Sequence, residues 1–269
     1  MSKTLDSSQC FVNLSHGRTR YFDVGSGAPT ILLHGVGFSA GGTSWYRNID
    51  RLSEGLRVLA VDLVGWGIGD RLEQGYSFAY LVDFVREFQD ALGLGRSNIV
   101  GHSMGGWIAS LFAYESPERV NRLALTASGG TATRTLAQMT EFQPPTKEAT
   151  YERIAALPDI SEADARDWTE YDWANIQTPG ALESYRKILS NMNVAETRSR
   201  YNTLRRLPYI VAKTLVVWGT NDEVNDISLG QTTAELIPDA RFVTFDCGHM
   251  VPHEAPAKLN EELLGFFCS

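Results

Sequence analysis

The stretch VGHSMGGWIAS at 100–110 sets Ser103 between two glycines, Gly101 and Gly105. An apolar β-rich run precedes it and an apolar helical run follows. A serine at such a strand-to-helix turn must sit on a sharp bend with its hydroxyl exposed. That is the geometry of a nucleophile held on an elbow. The glycines remove side chains that would clash across the bend. The N–H groups opening the helix point toward any anion formed beside Ser103. The plainer reading is a turn that happens to contain a serine.

A neutral hydroxyl needs a base to become a nucleophile. The chain has five histidines. His16 falls in a tight turn near the N-terminus, and His34 lies in the glycine loop considered below. His102 adjoins Ser103, but neighbours on a strand point to opposite sides. His249, in CGHMVPHEAP, follows a strand-like run and so belongs to the sheet edge where Ser103 emerges. His253 is the fallback, and reads more simply as a solvated loop histidine. A third group must orient the histidine, and a carboxylate suits that role. Asp222 follows the run TLVVWG within TNDEVND; Glu223 and Asp226 compete with it. An oxyanion site needs two donors. The Met104 N–H is one expected donor and the Val36 N–H, in His34-Gly35-Val36-Gly37, is the other.

The same loop permits a rival reading. Gly35-Val36-Gly37-Phe38-Ser39-Ala40 matches a dinucleotide fingerprint, with Asp62 as its acid. The pattern is weak alone. Two strands precede it, and Asp62 follows at a longer interval than the ~20 residues that motif expects.

These residues need a frame. Strand-like runs occur at 11–15, 19–24, 30–35, 57–63, 98–103, 122–128, 214–219 and 241–246. The first two read as an antiparallel pair joined at His16-Gly17. The later runs are apolar on both faces, as in parallel strands covered on both sides. Helical patterns alternate with them: Leu81, Phe84, Val85, Phe88 and Leu92 recur at helical spacing before Gly93. Leu259, Leu263, Leu264 and Phe267 do the same near the C-terminus. Alternation of this kind predicts an α/β fold with a mostly parallel, eight-stranded sheet flanked by helices. From 129 to 208 only helical patterns occur. This predicts a helical insertion at 129–208 in a core of 1–128 and 209–269.

Composition narrows the function. The chain has 269 residues and a net charge of −8, with no Lys/Arg cluster. That argues against nucleic acid or an anionic membrane as partner. No apolar run reaches the ~18 residues of a membrane span, and MSKTLDSSQC does not read as a signal peptide. Three cysteines without a CxxC pair disfavour a disulfide or zinc scaffold and suit the cytoplasm. No cofactor or metal is expected. The expected partner is a small hydrophobic or aromatic substrate, and a homo-oligomer is compatible with the composition.

Taken in order, LLHGVG, DLVGWGIGD, VGHSMGG, WGTNDEV and CGHMVPHEAP resemble the α/β-hydrolase superfamily along nearly the whole chain. The order Ser103, Asp222, His249 is the order of that group. The resemblance implies an α/β-hydrolase fold, with 129–208 as a cap (lid) over the site. Within the superfamily, HGVGFSAGGTSWYRNID, SMGGWIA and LTASGGTA are most similar to meta-cleavage product hydrolases. That likeness implies hydrolytic C–C cleavage of a 2-hydroxy-6-oxo-hexa-2,4-dienoate. It implies substrate contacts from Gly35, Gly37, Phe38, Ser39 and Met250, and a cap arginine on the substrate carboxylate. Arg186 is the candidate arginine; its simpler reading is a solvated helix cation. The chain departs from the pattern at Phe38-Ser39-Ala40, His102 and Met250, where Gly-Pro-Gly, Asn and Trp are usual. The alternative substrate is a hydrophobic ester or lactone, cleaved by a carboxylesterase or lactonase. A non-catalytic small-molecule receptor on this fold is a third reading, against which an intact triad speaks. Phe142, Tyr151, Trp168, Tyr171, Trp173 and Tyr185 suit an aromatic substrate or pack the cap on the core.

Overall fold

A computed structural model describes residues 3–73, 75–136 and 142–269. Every expected run forms a strand. They are β1 Gln9–Leu14, β2 Gly17–Val24, β3 Ala28–Leu33, β4 Leu56–Val61, β5 Ser97–His102, β6 Val120–Thr126, β7 Lys213–Gly219 and β8 Ala240–Phe245. They build one sheet in the order β1-β2-β4-β3-β5-β6-β7-β8. β1 and β2 are antiparallel, as is β2 to β4, and the remaining pairs are parallel. The hairpin closes one position earlier than expected. Leu14 pairs with Gly17, so Ser15 and His16 make the turn. Gly17, at φ 123°, opens β2 in a conformation that favours glycine.

Successive strand residues feed two separate cores. Ile31, Leu33, Leu59 and Val61 face helices α1 (Phe78–Ala91) and α2 (Met104–Glu115). Leu32, Val58 and Ala60 face the other layer, which includes the C-terminal helix. That is why these strands are apolar at nearly every position. On α1, Leu81, Phe84, Val85 and Phe88 are buried, and Gly93 at φ 60° ends the helix. The path from β3 out to β4 and back across to β5 puts a switch point at β3 and β5. Ligands gather in the crevice at such a point.

Between β6 and β7 no strand forms among the described residues; the elements are α3 (Lys147–Ala155), α4 (Glu162–Gln177), α5 (Ala181–Met192) and α6 (Ala195–Arg200), with a 3-10 turn at Leu207–Tyr209. Residues 137–141 of the expected insertion lie outside the described residues. α7 (Ile227–Leu236) and α8 (Pro256–Phe267) follow, and short helices form at Lys3–Ser8, Ile49–Leu52 and Val251–Glu254.

A buried ion pair fastens the helical segment to the sheet. Arg20 of β2 donates to Asp62 at 2.8 and 3.1 Å, and to Asn175 of α4 at 2.8 Å. Asp62 also accepts from the Gly42 and Ile68 amides. Asn175 in turn donates to the Ser39 carbonyl and to Thr43. Asp62 is thus fully engaged within the fold, which removes the acid that the dinucleotide reading requires. Cutting Asp62 to alanine strands a buried guanidinium. The Asp62→Ala variant is expected to lose roughly 3–5 kcal/mol of stability in urea unfolding.

Candidate active site

Ser103 lies between β5 and α2 with φ 54° and ψ −113°, a left-handed backbone rare outside glycine. Its neighbours explain how the bend is tolerated. A Cβ on Gly105 would sit 2.2 Å from the Leu33 carbonyl oxygen, and one on Gly101 2.3 Å from that of Gly105. The Ser103 amide donates to the Thr126 carbonyl at 2.9 Å. Although Ser103 occupies the N-cap of α2, its hydroxyl makes no capping bond. It lies instead 2.9 Å from His249 Nε2.

His249 Nδ1 lies 2.8 Å from Asp222 Oδ2. The other Asp222 oxygen accepts from the Val224 and Asn225 amides, and the side chain is fully buried. Asn225 ties this loop to the end of β6 by donating to the Ala127 carbonyl at 3.0 Å. The histidine loop is clamped by Glu254, whose carboxylate accepts from the Gly248 and Met250 amides. The competitors for the acid are elsewhere: Glu223 is exposed, and Asp226 caps α7 through the Ser228 amide. His253, expected as a solvated loop histidine, is instead buried in the short helix Val251–Glu254, where its Nε2 meets the Ser44 carbonyl and its ring packs edge-on against Trp168.

A cavity of about 540 Å³ opens over Ser103. Gly35, Val36, Gly37, Phe38 and Ser39 line it, as do Met104 and Met250. The glycine loop is pinned by its carbonyls. His34 Nδ1 is bonded to Gly35 O, the Tyr185 hydroxyl donates to Val36 O, and the Trp66 indole donates to Gly37 O. In a trans peptide the N–H lies opposite the carbonyl, so pinning Gly35 O also orients the Val36 N–H. The Ser39 hydroxyl is already donated to Asp172 of α4 at 2.7 Å. Phe38 packs against Phe142 and Tyr185. Of the insertion aromatics, Phe142, Trp168 and Tyr185 reach the cavity. Tyr151 and Tyr171 instead pack among cap and core residues.

Two further expectations need correction. Arg186 is exposed and lines a separate surface groove with Ile176, Gly180 and Lys187. On α5 the buried stripe is Tyr185, Ile188, Leu189 and Met192, and Arg186 lies off it. The arginines that do line the cavity are Arg153 and Arg198, which sequence reasoning missed. Second, His102 does not point away from the site. The strand alternation rule ends where Ser103 turns left-handed, and the His102 ring lines the cavity 5.2 Å from the His249 ring. Its Nδ1 meets Thr126, while its Nε2 is buried without a partner among the described residues. His102 is still not the base beside Ser103, because His249 takes that position.

Burial holds three imidazoles neutral: His34 falls to about 4, His253 to about 3 and His102 well below its ordinary value. Burial also pushes the Cys247 thiol up to about 11, aided by Glu254 and Asp222, so it is no thiolate at neutral pH. In the unfolded chain these imidazoles take up protons near pH 6.5. Their contribution to stability is therefore complete above that pH and falls as the pH drops toward 4 and 3. Between pH 7 and pH 5, a His253→Gln variant is expected to lose about 2 kcal/mol less in urea unfolding than the parent does. In a second test, fluorophosphonate labels Ser103 in the parent and fails to label the His249→Ala variant.

The family model described as alpha/beta hydrolase fold matches residues 29–256. A 2-hydroxy-6-oxononadienedioate/2-hydroxy-6-oxononatrienedioate hydrolase of Paraburkholderia phymatum is 32% identical, over 95% of this chain and 94% of its own. A 2-hydroxy-6-oxo-6-phenylhexa-2,4-dienoate hydrolase of Burkholderia cepacia is 31% identical, over 95% and 93%. The solved structure of the meta-cleavage product hydrolase CumD from Pseudomonas fluorescens IP01 superimposes with a TM-score of 0.81 at 28% identity, over 96% of this chain and 97% of that one. The chain belongs to the α/β-hydrolase fold family.

Proposed function

We propose that this protein is a serine hydrolase that cleaves the C–C bond of a 2-hydroxy-6-oxo-hexa-2,4-dienoate, a meta-cleavage product of aromatic catabolism. The observation that carries the reading is a Ser103–His249–Asp222 relay on a cavity floor. It occurs in a chain that matches dienoate hydrolases from end to end. His249 Nε2 takes the Ser103 proton as Oγ adds to the C6 ketone, while Asp222 holds the Nδ1–H and steadies the imidazolium. The Val36 and Met104 N–H groups receive the oxyanion.

Before this attack, the 2-hydroxyl gives up its proton while C5 takes one up, so that the dienol becomes the keto tautomer. C5 then leaves as a carbanion whose charge spreads onto the 2-oxo group and the carboxylate. His249 returns a proton to this fragment, and a water that it deprotonates releases the acyl group from Ser103. One water is consumed; the products are a 2-hydroxypentadienoate and a carboxylic acid.

Residues 129–208 act as the cap, with residues 1–128 and 209–269 as the catalytic core. Gly35, Gly37, Phe38, Ser39 and Met250 form the walls against the substrate. Among the described residues no helix is long and apolar enough to cross a membrane. The free thiols Cys10, Cys247 and Cys268 suit the reducing cytoplasm. His102 and Met250 stand where the resembled hydrolases usually carry Asn and Trp, and they favour the second reading, an ester or lactone hydrolase.

Mixing the enzyme with yellow 2-hydroxy-6-oxo-6-phenylhexa-2,4-dienoate and, separately, with p-nitrophenyl acetate separates the two. Rapid bleaching with slow nitrophenol release is expected; the reverse result favours the esterase. Ser103→Ala is expected to lose at least about 10,000-fold in kcat.

A further inference from the structure

We propose that Tyr185, carried by the helical insertion, is a positioning residue for the oxyanion site. Its hydroxyl braces the peptide that follows Val36 and so holds the Val36 N–H at the angle a tetrahedral intermediate requires. The inserted helices then take part in the chemistry as well as covering it. The inference rests on the serine-hydrolase reading above and applies to a ketone and an ester substrate alike.

The need for a brace is written in the sequence. Val36 stands between Gly35 and Gly37. Glycines leave the flanking backbone free to rotate, so local sterics do not set the direction of the Val36 N–H. Bonds from outside the loop must set it. Two peptide planes meet at Val36, and each is held by its carbonyl. His34 holds the first. Its Nε2 accepts from the Leu63 amide at 3.1 Å, so its Nδ1 carries the proton and donates to Gly35 O at 2.7 Å. Tyr185 holds the second, donating to Val36 O at 2.7 Å. With both planes fixed, the backbone at Val36 cannot drift, and its N–H, trans to Gly35 O, keeps its direction.

The two braces differ in origin. His34 adjoins the loop it serves, whereas Tyr185 comes from 149 positions along the chain. It lies on the buried stripe of α5. Burial pushes its phenol up to about 12, so at neutral pH it remains a donor. Its ring is boxed by Phe38 and Phe142, with centroids 5.2 and 4.7 Å away. Helix α5 is itself fastened to the segment before α1. Ser184 accepts from the Tyr76 hydroxyl at 3.1 Å, Lys187 donates to the Glu73 carbonyl at 3.1 Å, and Asn191 donates to the Tyr76 carbonyl. The support therefore runs from that segment through α5 to the Val36 peptide. An oxyanion gains most from donors already aimed at it, because nothing has to reorganise as the charge develops.

Tyr185→Phe removes one oxygen and keeps the ring contacts. On p-nitrophenyl acetate its kcat is expected to fall roughly 10-fold with KM changed less than about 2-fold. That is a fraction of the roughly 100- to 1,000-fold that loss of a whole oxyanion donor costs. An unchanged kcat overturns the inference.

A second readout separates positioning from cavity shape. Phenethyl trifluoromethyl ketone adds to a serine hydroxyl and then carries an oxyanion. Phenethyl methyl ketone binds as the neutral ketone. The variant is expected to bind the first about 10-fold more weakly and the second within about 2-fold of the parent. Equal weakening of both overturns the inference, because Tyr185 then only shapes the cavity. Unchanged affinity for both overturns it as well. A parent that holds the trifluoromethyl ketone no more tightly than the methyl ketone overturns the oxyanion reading itself, and the brace with it.

Discussion

The left-handed backbone at Ser103 is the constraint around which the molecule is arranged. A non-glycine residue held there costs on the order of 1–3 kcal/mol, so the surroundings must over-determine it. They do so from both sides of the chain. The Ser103 amide is bonded to β6, and its carbonyl accepts from Trp107 and Gly129. Gly101 and Gly105 let α2 press against β5 and the β3 end closely enough to leave no room for a methyl group. The strain sets the hydroxyl above the sheet edge, where the acid and histidine loops arrive from β7 and β8. Those two loops are bonded to each other, Asn221 N to Cys247 O, and so move as one support.

The remaining walls come from the helices between β6 and β7, and buried polar networks join the apolar packing of Trp168, Tyr185 and Ile188 in attaching them. Arg20, Asp62 and Asn175 join β2, the β4 exit and α4 in one buried network. Asp172 does the same a turn away, taking Ser39 from the glycine loop and Arg153 from α3. Such networks reward one arrangement and penalise near misses, because any partner left over is buried and unpaired. They set the distance between the glycine loop and the helical segment, and with it the height of the cavity over Ser103.

Much of this was legible in the chain. The central strands were readable because parallel strands covered on both faces are continuously apolar, and β1 and β2 because a turn signal separates two strand-like runs. The Ser103 elbow was readable because its glycines answer a steric demand made within a few residues. Asp222 and His249 could be named because each follows a strand that ends on the same sheet edge. Arg186 was misplaced although a signal existed: it lies off the buried stripe of Tyr185, Ile188, Leu189 and Met192. Arg198 had no such signal. AETRSR reads as a solvated, charged turn, and only packing over Trp107 buries it.

The sequence by itself determined what local sterics and periodicity control: the order of strands and helices, the glycine-framed bend at Ser103, and the catalytic groups that follow strand ends. Only the tertiary structure decided which way His102 faces, which arginines enter the cavity, and that Asp62 is spent on Arg20. Those outcomes depend on partners far along the chain, brought within 3 Å or so by packing. No spacing rule that runs over a few residues contains that information.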